Sequence, residues 1–299
     1  MSDKRISRRC FLGASIALAT ATSAAPPPRA SATVIDLVPL NKTGYKISRL
    51  GLGTGSNNGD VQRALGQEGF TRLVHHAYER GITYIDTADA YGTHAIVRGA
   101  IKNLPRERLF IQTKMRLDAS APPRKHLETI DRFRRELGTD YIDSLLIHCT
   151  TESTWDADLR RMMDAFDEAQ ERKLIRLKGV SCHGLPALKR ATRVEWVQVQ
   201  LARVNPQGRH VDGEDGSWGE SGDVPAAMRE IRLMHQQGRG VIGMKLVGNG
   251  DFRRREDRER AMRYAMTCGC VDAVVVGFGS TAEVDEAISH VVHAGVLIR

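Results

Sequence analysis

Eight times along this chain a short, mostly apolar run gives way to a loop and then to a stretch of mixed polarity. That rhythm is what most restricts the possible folds. The runs are Arg49–Gly53, Thr83–Asp86, Leu109–Lys114, Ser144–His148, Leu177–Ser181, Trp196–Val204, Gly240–Lys245 and Ala273–Gly277. Each has the length and composition of a buried strand. Between them, Phe70–Arg80 carries Phe70, Leu73, Val74 and Ala77 at helical spacing. Arg124–Leu137, Leu159–Arg172, Pro225–Gln237, Glu256–Thr267 and Ala282–His293 follow the same pattern. Strand–helix units repeated in this way predict an α/β fold, a (β/α)8 TIM barrel, which takes about 250 residues. The rival is an open doubly wound sheet. Ahead of the first unit, Val34–Ile47 alternates around Lys42-Thr43-Gly44 and predicts an N-terminal β-hairpin. With no internal repeat and no linker, residues 33–299 read as one domain.

Apolar residues make up 41% and aromatic ones only 5%, so the core is expected to be aliphatic. Half of the formal charge of +8 falls in the first thirty-two residues. The first thirty-two residues hold Lys4, Arg5, Arg8, Arg9 and Arg29 against a single acid, Asp3. The rest is mildly basic without a dense patch. Nucleic-acid binding is not expected, because backbone recognition needs clustered cations. Ser7-Arg8-Arg9-Cys10-Phe11-Leu12 is a twin-arginine pattern, followed by a weakly apolar run to Ala25, by Pro26–Pro28, and by the small residues Ala30-Ser31-Ala32. Residues 1–32 therefore resemble a Tat export signal cleaved after Ala32, with Ala24 or Ala25 as the rival site. The expected partner is the Tat export machinery, and the expected destination is the bacterial periplasm or the medium. The run is shorter and more polar than the roughly 20 apolar residues of a membrane span, so no stable membrane insertion is expected.

The chemistry concentrates at strand ends. In Gly81–Gly92, GITYIDTADAYG, a buried run ends on Asp86 and a phenol, Tyr91, follows in a glycine-bounded turn. Two other strands end on Lys114 and His148. Barrel active sites sit at the C-terminal ends of the strands, so residues far apart in sequence meet there. A free phenol has a pKa near 10, and a nearby ammonium lowers it. Lys114 is expected to supply that ammonium, with Asp86 holding it. Tyr91 then serves as general acid and His148 orients a substrate oxygen. No side chain delivers hydride, so a nicotinamide cofactor must.

These residues resemble the aldo-keto reductase family over essentially all of residues 38–290. VPLNKTGYKISRLGLGTG is similar to the family's opening hairpin and first strand, GITYIDTADAYG to its signature, TDYIDSLLIH to its fourth strand and GVSCH to its fifth. The resemblance implies a catalytic tetrad of Asp86, Tyr91, Lys114 and His148, a small carbonyl (aldehyde, ketone or sugar) or alcohol substrate, and NADP or NAD as cofactor. It implies cofactor contacts from Ser181, from Gln200 or Gln198 at the nicotinamide carboxamide, from Met244 against its ring, and from Lys245 and Gly248 with Asn249 at the pyrophosphate. Gly277, Gly279 and Ser280 would receive the adenosine end and Glu286 the adenine.

Three positions depart from the family pattern. Cys182 stands where an Asn is usual, Ala287 where an Asn follows the Glu, and Glu283 near the place of an Arg that grips the 2′-phosphate of NADP. An acid at Glu283 repels that phosphate, so the sequence leaves NAD and NADP both open. A non-catalytic cofactor-binding sensor on the same barrel is the alternative function.

Other features carry less. Gly51–Gly59 misses G-x-G-x-x-G because Ser56 stands at the third glycine's place. Cys268-Gly269-Cys270 lacks the spacing of a redox C-x-x-C, and Cys149, Cys182, His148 and His183 lack paired metal-ligand spacing. No metal is expected. Pro206–Asp223 is a long polar insert around Trp218, expected to be a lid over the cofactor or the substrate.

Overall fold

The computed structural model describes residues 35–216 and 221–296. The expected Tat signal falls outside those residues, as does Trp218 of the expected lid. A two-stranded antiparallel hairpin comes first, β1 (Leu37–Pro39) and β2 (Lys46–Ser48). Eight further strands follow: β3 (Leu50–Gly53), β4 (Tyr84–Asp86), β5 (Phe110–Met115), β6 (Ile142–Thr150), β7 (Ile175–Cys182), β8 (Val199–Arg203), β9 (Gly240–Met244) and β10 (Ala273–Gly277). They pair in parallel in the order β3 to β10, and β10 returns to β3, which closes the barrel. The open-sheet rival is excluded by that last pairing.

One principal helix follows each barrel strand: α1 (Gly66–Glu79), α2 (His94–Ile101), α3 (Pro123–Leu137), α4 (Arg160–Glu171), α5 (Leu185–Ala191), α6 (Val224–Gln236), α7 (Arg255–Thr267) and α8 (Thr281–Val296). The sequence pattern misses α2 and α5, which have 8 and 7 residues and are too short to display a period of 3.6. Helix ends follow local chemistry. Asp223 caps α6 by accepting from the Ala226 N–H at 2.9 Å. Gly138, at φ 66°, closes α3 with its N–H on the carbonyls of Arg134 and Arg135.

Alternation along the strands sorts side chains into two cores. The outer core lies between barrel and helices and includes Ile85, Ile111, Leu145, Val180, Ala202 and Val274. The inner core fills the barrel itself with Tyr84, Phe110, Leu146, Leu177, Leu201 and Ile242. The hairpin plugs the bottom of the barrel by sending Val38, Leu40 and Ile47 into this inner core. Glycine is required where that interior is crowded. A Cβ on Gly240 would lie 2.5 Å from Cγ of Leu40, and one on Gly51 would lie 2.1 Å from the Tyr84 ring. Ile47 is fully buried, so Ile47→Val is expected to lower stability by about 0.5–1.5 kcal/mol, read as a lower urea midpoint at unchanged m-value.

Candidate active site

The same alternation that points Tyr84 and Phe110 inward brings Asp86, Lys114 and His148 to the upper mouth of the barrel. Asp86 is the last residue of β4, and Lys114 and His148 lie near the ends of β5 and β6. All three are buried. The Lys114 ammonium donates to both Asp86 oxygens, at 2.8 and 2.7 Å, and to the Thr87 carbonyl at 2.9 Å. A buried ammonium is tolerable only with partners of this kind. Gln112, one inward step below Lys114, donates to Asp86 Oδ1 at 2.8 Å and to the Tyr84 hydroxyl at 2.9 Å. Nothing in the linear sequence singles out Gln112. It fixes the carboxylate that fixes the lysine.

Tyr91 ends a single 3-10 turn, Asp89–Tyr91, closed by Gly92 in the left-handed region at φ 62°. Its ring stands 5.0 Å from the Lys114 ammonium, measured to the ring centroid, and 5.6 Å from the His148 ring in an edge-on arrangement. A buried run of hydroxyls holds the loop in place: Thr93 Oγ1 lies 2.8 Å from Thr54 Oγ1 and 2.8 Å from Thr87 Oγ1. On the other side of the ring, Gly55 leaves no room for a side chain, since a Cβ there would lie 2.6 Å from Tyr91 Cζ.

These positions set the ionisation states. Burial raises the Tyr91 pKa, and the Lys114 charge pulls it back only in part, so the phenol stays above its ordinary value near 10. Here the structure corrects the expectation that the ammonium brings the net value down; desolvation wins. For Lys114 the balance is reversed. Burial works against the ammonium, but Asp86 and Tyr91 outweigh it and the pKa rises. Burial first, then the charges of Lys114, Lys245 and Arg116, push His148 down to about 3, so its imidazole is neutral. The site therefore offers an un-ionised phenol, a charged lysine and a neutral histidine. That set can give a proton to an oxygen and hold that oxygen with a neutral N–H.

A groove of about 470 Å³ leads away from Tyr91 and Asp86, past Met244 and Lys245, to Gly279 and Glu286. Gly53, Gly55, Gly250, Gly277 and Gly279 line it, so backbone forms much of its wall. Lys245 stands at φ 61° in the loop after β9, with its ammonium 3.1 Å from Asn249 Oδ1. Burial, with Arg203 and Lys114 nearby, lowers its pKa to about 8. Gly248 follows at φ 56°, and a Cβ there would press on the Phe252 ring at 2.9 Å. An elongated dinucleotide with a central pyrophosphate fits a groove built this way.

Several expected contacts change place. Gln200 and Gln198 do not face the barrel interior. Strand β8 sends Val199 and Leu201 inward, so its even-numbered residues turn toward the helices. Gln200 is buried in that outer layer, with its Nε2 on the Leu201 carbonyl at 3.0 Å and its Oε1 3.7 Å from Cys182 Sγ. Gln198 precedes β8, at the lower end of the barrel, and binds Gln170 Nε2 and the Lys178 N–H. The inward residue at the upper end of β8 is Arg203, which no motif or spacing singles out. It is fully buried against Asp212, with Nε 2.7 Å from Oδ1. Cys182, at the usual Asn position, likewise belongs to the outer core, whereas Ser181 keeps its Oγ 3.4 Å from His183 Nε2.

Ser280 and Glu283 make a displaced version of the expected capping box. Ser280 Oγ accepts from the Glu283 N–H at 3.3 Å, but the Glu283 carboxylate takes the Gly279 N–H at 2.7 Å. That N–H is thereby occupied by an acid. Glu286 is held by Arg258 through two bonds of 2.7 and 3.0 Å, and by His290 at 3.2 Å. Arg258 comes from α7, far from the strand-end motifs, which is why its place in the groove was not legible.

The insert expected to be a lid ties two loops together. Asp212 pairs with Arg203 at the end of β8, His210 reaches Asp251 beyond β9 at 3.1 Å, and Gln207 donates to the Asp257 carbonyl at 3.0 Å. Among the described residues there is no cluster of three His, Cys, Asp or Glu able to hold a metal, and no helix long and apolar enough to cross a membrane.

A closed (β/α)8 barrel with a buried Lys–Asp pair under a tyrosine, beside a glycine-walled groove, defines the class of protein. The family model described as "Aldo/keto reductase family" matches residues 49–292, and the chain belongs to that family. An aldo-keto reductase of Mycobacterium avium is 36% identical over 160 residues, 50% of this chain and 49% of that protein. The NADH-specific methylglyoxal reductase of Escherichia coli is 26% identical over 170 residues, 48% of this chain and 51% of that protein. The chain spans roughly a third to a half of the length of the curated relatives it matches. Among solved structures, the holo form of a Bacillus halodurans aldo-keto reductase superposes with a TM-score of 0.69 at 21% identity, covering 86% of this chain and 91% of that one. A Bombyx mori aldo-keto reductase in complex with NADP gives 0.63 at 19% identity, covering 88% and 92%. These likenesses carry the fold.

Proposed function

We propose that the protein is an NAD(P)H-dependent carbonyl reductase, run in reverse as an alcohol dehydrogenase, acting on a small aldehyde, ketone or sugar. The observation that carries this reading is the Lys114–Asp86 pair of 2.7 Å beneath Tyr91, with neutral His148 across the Tyr91 ring at the mouth of the groove. When bound, the nicotinamide cofactor supplies the hydride, with Ser181 and Met244 at its reactive end and Lys245, Gly248 and Asn249 along its phosphates. Tyr91 gives its phenolic proton to the carbonyl oxygen as negative charge develops there. Lys114, locked by Asp86 and Gln112, stabilises the phenolate left behind. His148 donates its N–H to the same oxygen and sets its direction. Lys114, Asp86, Gln112 and His148 are buried beside a half-buried Tyr91, which limits bulk water as an alternative proton source.

The cofactor reading follows from charge. Glu283 stands near the place of the Arg that grips a 2′-phosphate in the family and already holds the Gly279 N–H, and Arg258, a cation lining the groove, is committed to Glu286. NADH is therefore expected to bind at least tenfold more tightly than NADPH, about 1.4 kcal/mol, in a fluorescence titration of the purified protein. Tighter binding of NADPH would overturn that preference.

The same proposal places the protein outside the cytoplasm, on the strength of the Ser7-Arg8-Arg9-Cys10-Phe11-Leu12 pattern and the small residues to Ala32. An exported reductase has no pool of reduced cofactor, so the cofactor is expected to travel with the folded chain and to be recharged by a second substrate. Two measurements check this: fractionation of cells carrying Arg8→Lys/Arg9→Lys, which is expected to leave the protein in the cytoplasm, and extraction of nicotinamide from protein purified after export. Carbonyl-dependent oxidation of NADH in a stopped-flow assay tests the activity itself.

A further inference from the structure

The turn between α7 and β10 brings two thiols together at the end of the barrel opposite the groove. Cys268 and Cys270 have their sulfurs 3.6 Å apart, with the Cys270 thiol directed at Cys268 Sγ. The sequence spacing is one residue too short for C-x-x-C, but the spacing does not forbid a bond. Residues two apart have Cα atoms at most about 7 Å apart, and a turn brings them into the roughly 4.4–6.8 Å that a disulfide spans. Gly269 supplies the turn. It lies at φ 70°, a left-handed conformation that glycine adopts without strain.

The two thiols are not equivalent. Cys268 is partly exposed at the end of α7, while Cys270 is buried. As a thiol, Cys268 donates to the Ala265 carbonyl at 3.2 Å, a bond given up when it ionises. Arg232 from α6, Tyr264 from α7 and Asp272 at the foot of β10 are the charged or titratable groups around the pair. The thiol of Cys270 and its N–H favour the ionised form of Cys268 and lower its pKa, so Cys268 is the more acidic thiol of the pair.

We propose that Cys268 and Cys270 form a redox-active dithiol that small-molecule disulfides oxidise to an intrachain disulfide. Cys268 thiolate attacks one sulfur of the small disulfide, forms a mixed disulfide and releases one thiolate. Cys270 gives its proton to water, attacks Cys268 Sγ, and releases the second thiolate as the Cys268–Cys270 bond forms. Two electrons pass from the protein to the small disulfide, which leaves as two thiols. The division of labour is a partly exposed attacking sulfur beside a buried resolving one. The site is remote from Tyr91, so it is a thiol–disulfide site in its own right and does not depend on the carbonyl chemistry.

The test uses native, full-length protein exposed to oxidised glutathione and then alkylated. Trypsin cleaves after Arg263, and the sequence from Tyr264 to Arg299 contains only these two cysteines. In the wild type that fragment is expected to lose about two hydrogens in mass and to resist alkylation, and dithiothreitol is expected to restore both thiols. Cys270→Ser is expected to stop at a mixed disulfide on Cys268. Cys268→Ser is expected to react at Cys270 at least tenfold more slowly. A wild-type fragment that keeps two alkylatable thiols, or that retains bound glutathione without closing, overturns the proposal. That outcome is read on the wild type alone, so a variant that fails to fold leaves the test decisive.

Discussion

Tyr91→Phe is expected to lower the rate of single-turnover carbonyl reduction by about 10²–10⁴-fold while leaving NADH affinity within a factor of two or so. The substitution removes one oxygen from a ring whose packing against Gly55, Lys114 and His148 is otherwise preserved. What is lost is the proton delivered in the transition state, and nothing else in the site replaces it. Lys114 is committed to Asp86 and Thr87, and His148 is neutral with a pKa near 3. The pH profile checks the same assignment. Because burial raises the Tyr91 pKa, the reducing form is the protonated phenol, and reduction is expected to hold steady through neutrality and to fall only as pH climbs past that raised value. The reverse direction needs the phenolate and is expected to gain as pH rises. A rate for Tyr91→Phe within tenfold of wild type, or a reduction rate that rises with pH above neutrality, would remove Tyr91 from its role.

Asp212→Ala is the second large effect, and it falls on stability. Arg203 and Asp212 are both essentially inaccessible to solvent, with a contact of 2.6 Å between them. Removing the carboxylate leaves a guanidinium buried without its counter-charge, a change that costs about 3–5 kcal/mol. The cost reads directly as a lower urea midpoint. Pairing the change with Arg203→Met is expected to recover most of the loss, because the charge that needed compensation is gone as well. If Asp212→Ala unfolds within about 1 kcal/mol of wild type, water reaches the pair and it is worth no more than a surface ion pair. The pair also pins the Pro206–Asp223 insert to the end of β8.

The alternation of apolar runs and amphipathic stretches was enough to place all eight barrel strands, most within a residue or two of their ends. Errors fall where local signals are weak. Trp196 and Val197 read as strand by composition but belong to the approach to β8, which begins at Val199. Asp86, Tyr91, Lys114 and His148 were legible because each closes or follows an apolar run, where a polar residue is conspicuous. Gln112, Thr54, Thr87 and Thr93 were not, because a buried amide or hydroxyl inside a strand or turn leaves no trace in a linear pattern. Only their partners across the barrel explain them.

Gln198 and Gln200 show the limit most clearly. Period two puts Gln198 and Gln200 on one face of an extended segment but does not say which face is the inside. That choice belongs to the whole barrel: Val199 and Leu201 fill its interior together with Leu177 and Ile242, so the glutamines turn outward and Arg203 turns in. Arg258 reaches Glu286 for a similar reason, since α7 and α8 pack side by side only once the barrel closes. The sequence alone determined the succession of strands and helices and the acids, phenol, amine and imidazole at the strand ends, because periodicity and polarity act over a few residues. Closure of the barrel decided which face of each strand is interior, how far burial outweighs the lysine's charge at Tyr91, and which cations meet which acids in the groove, because those quantities depend on neighbours that the chain brings together only in three dimensions.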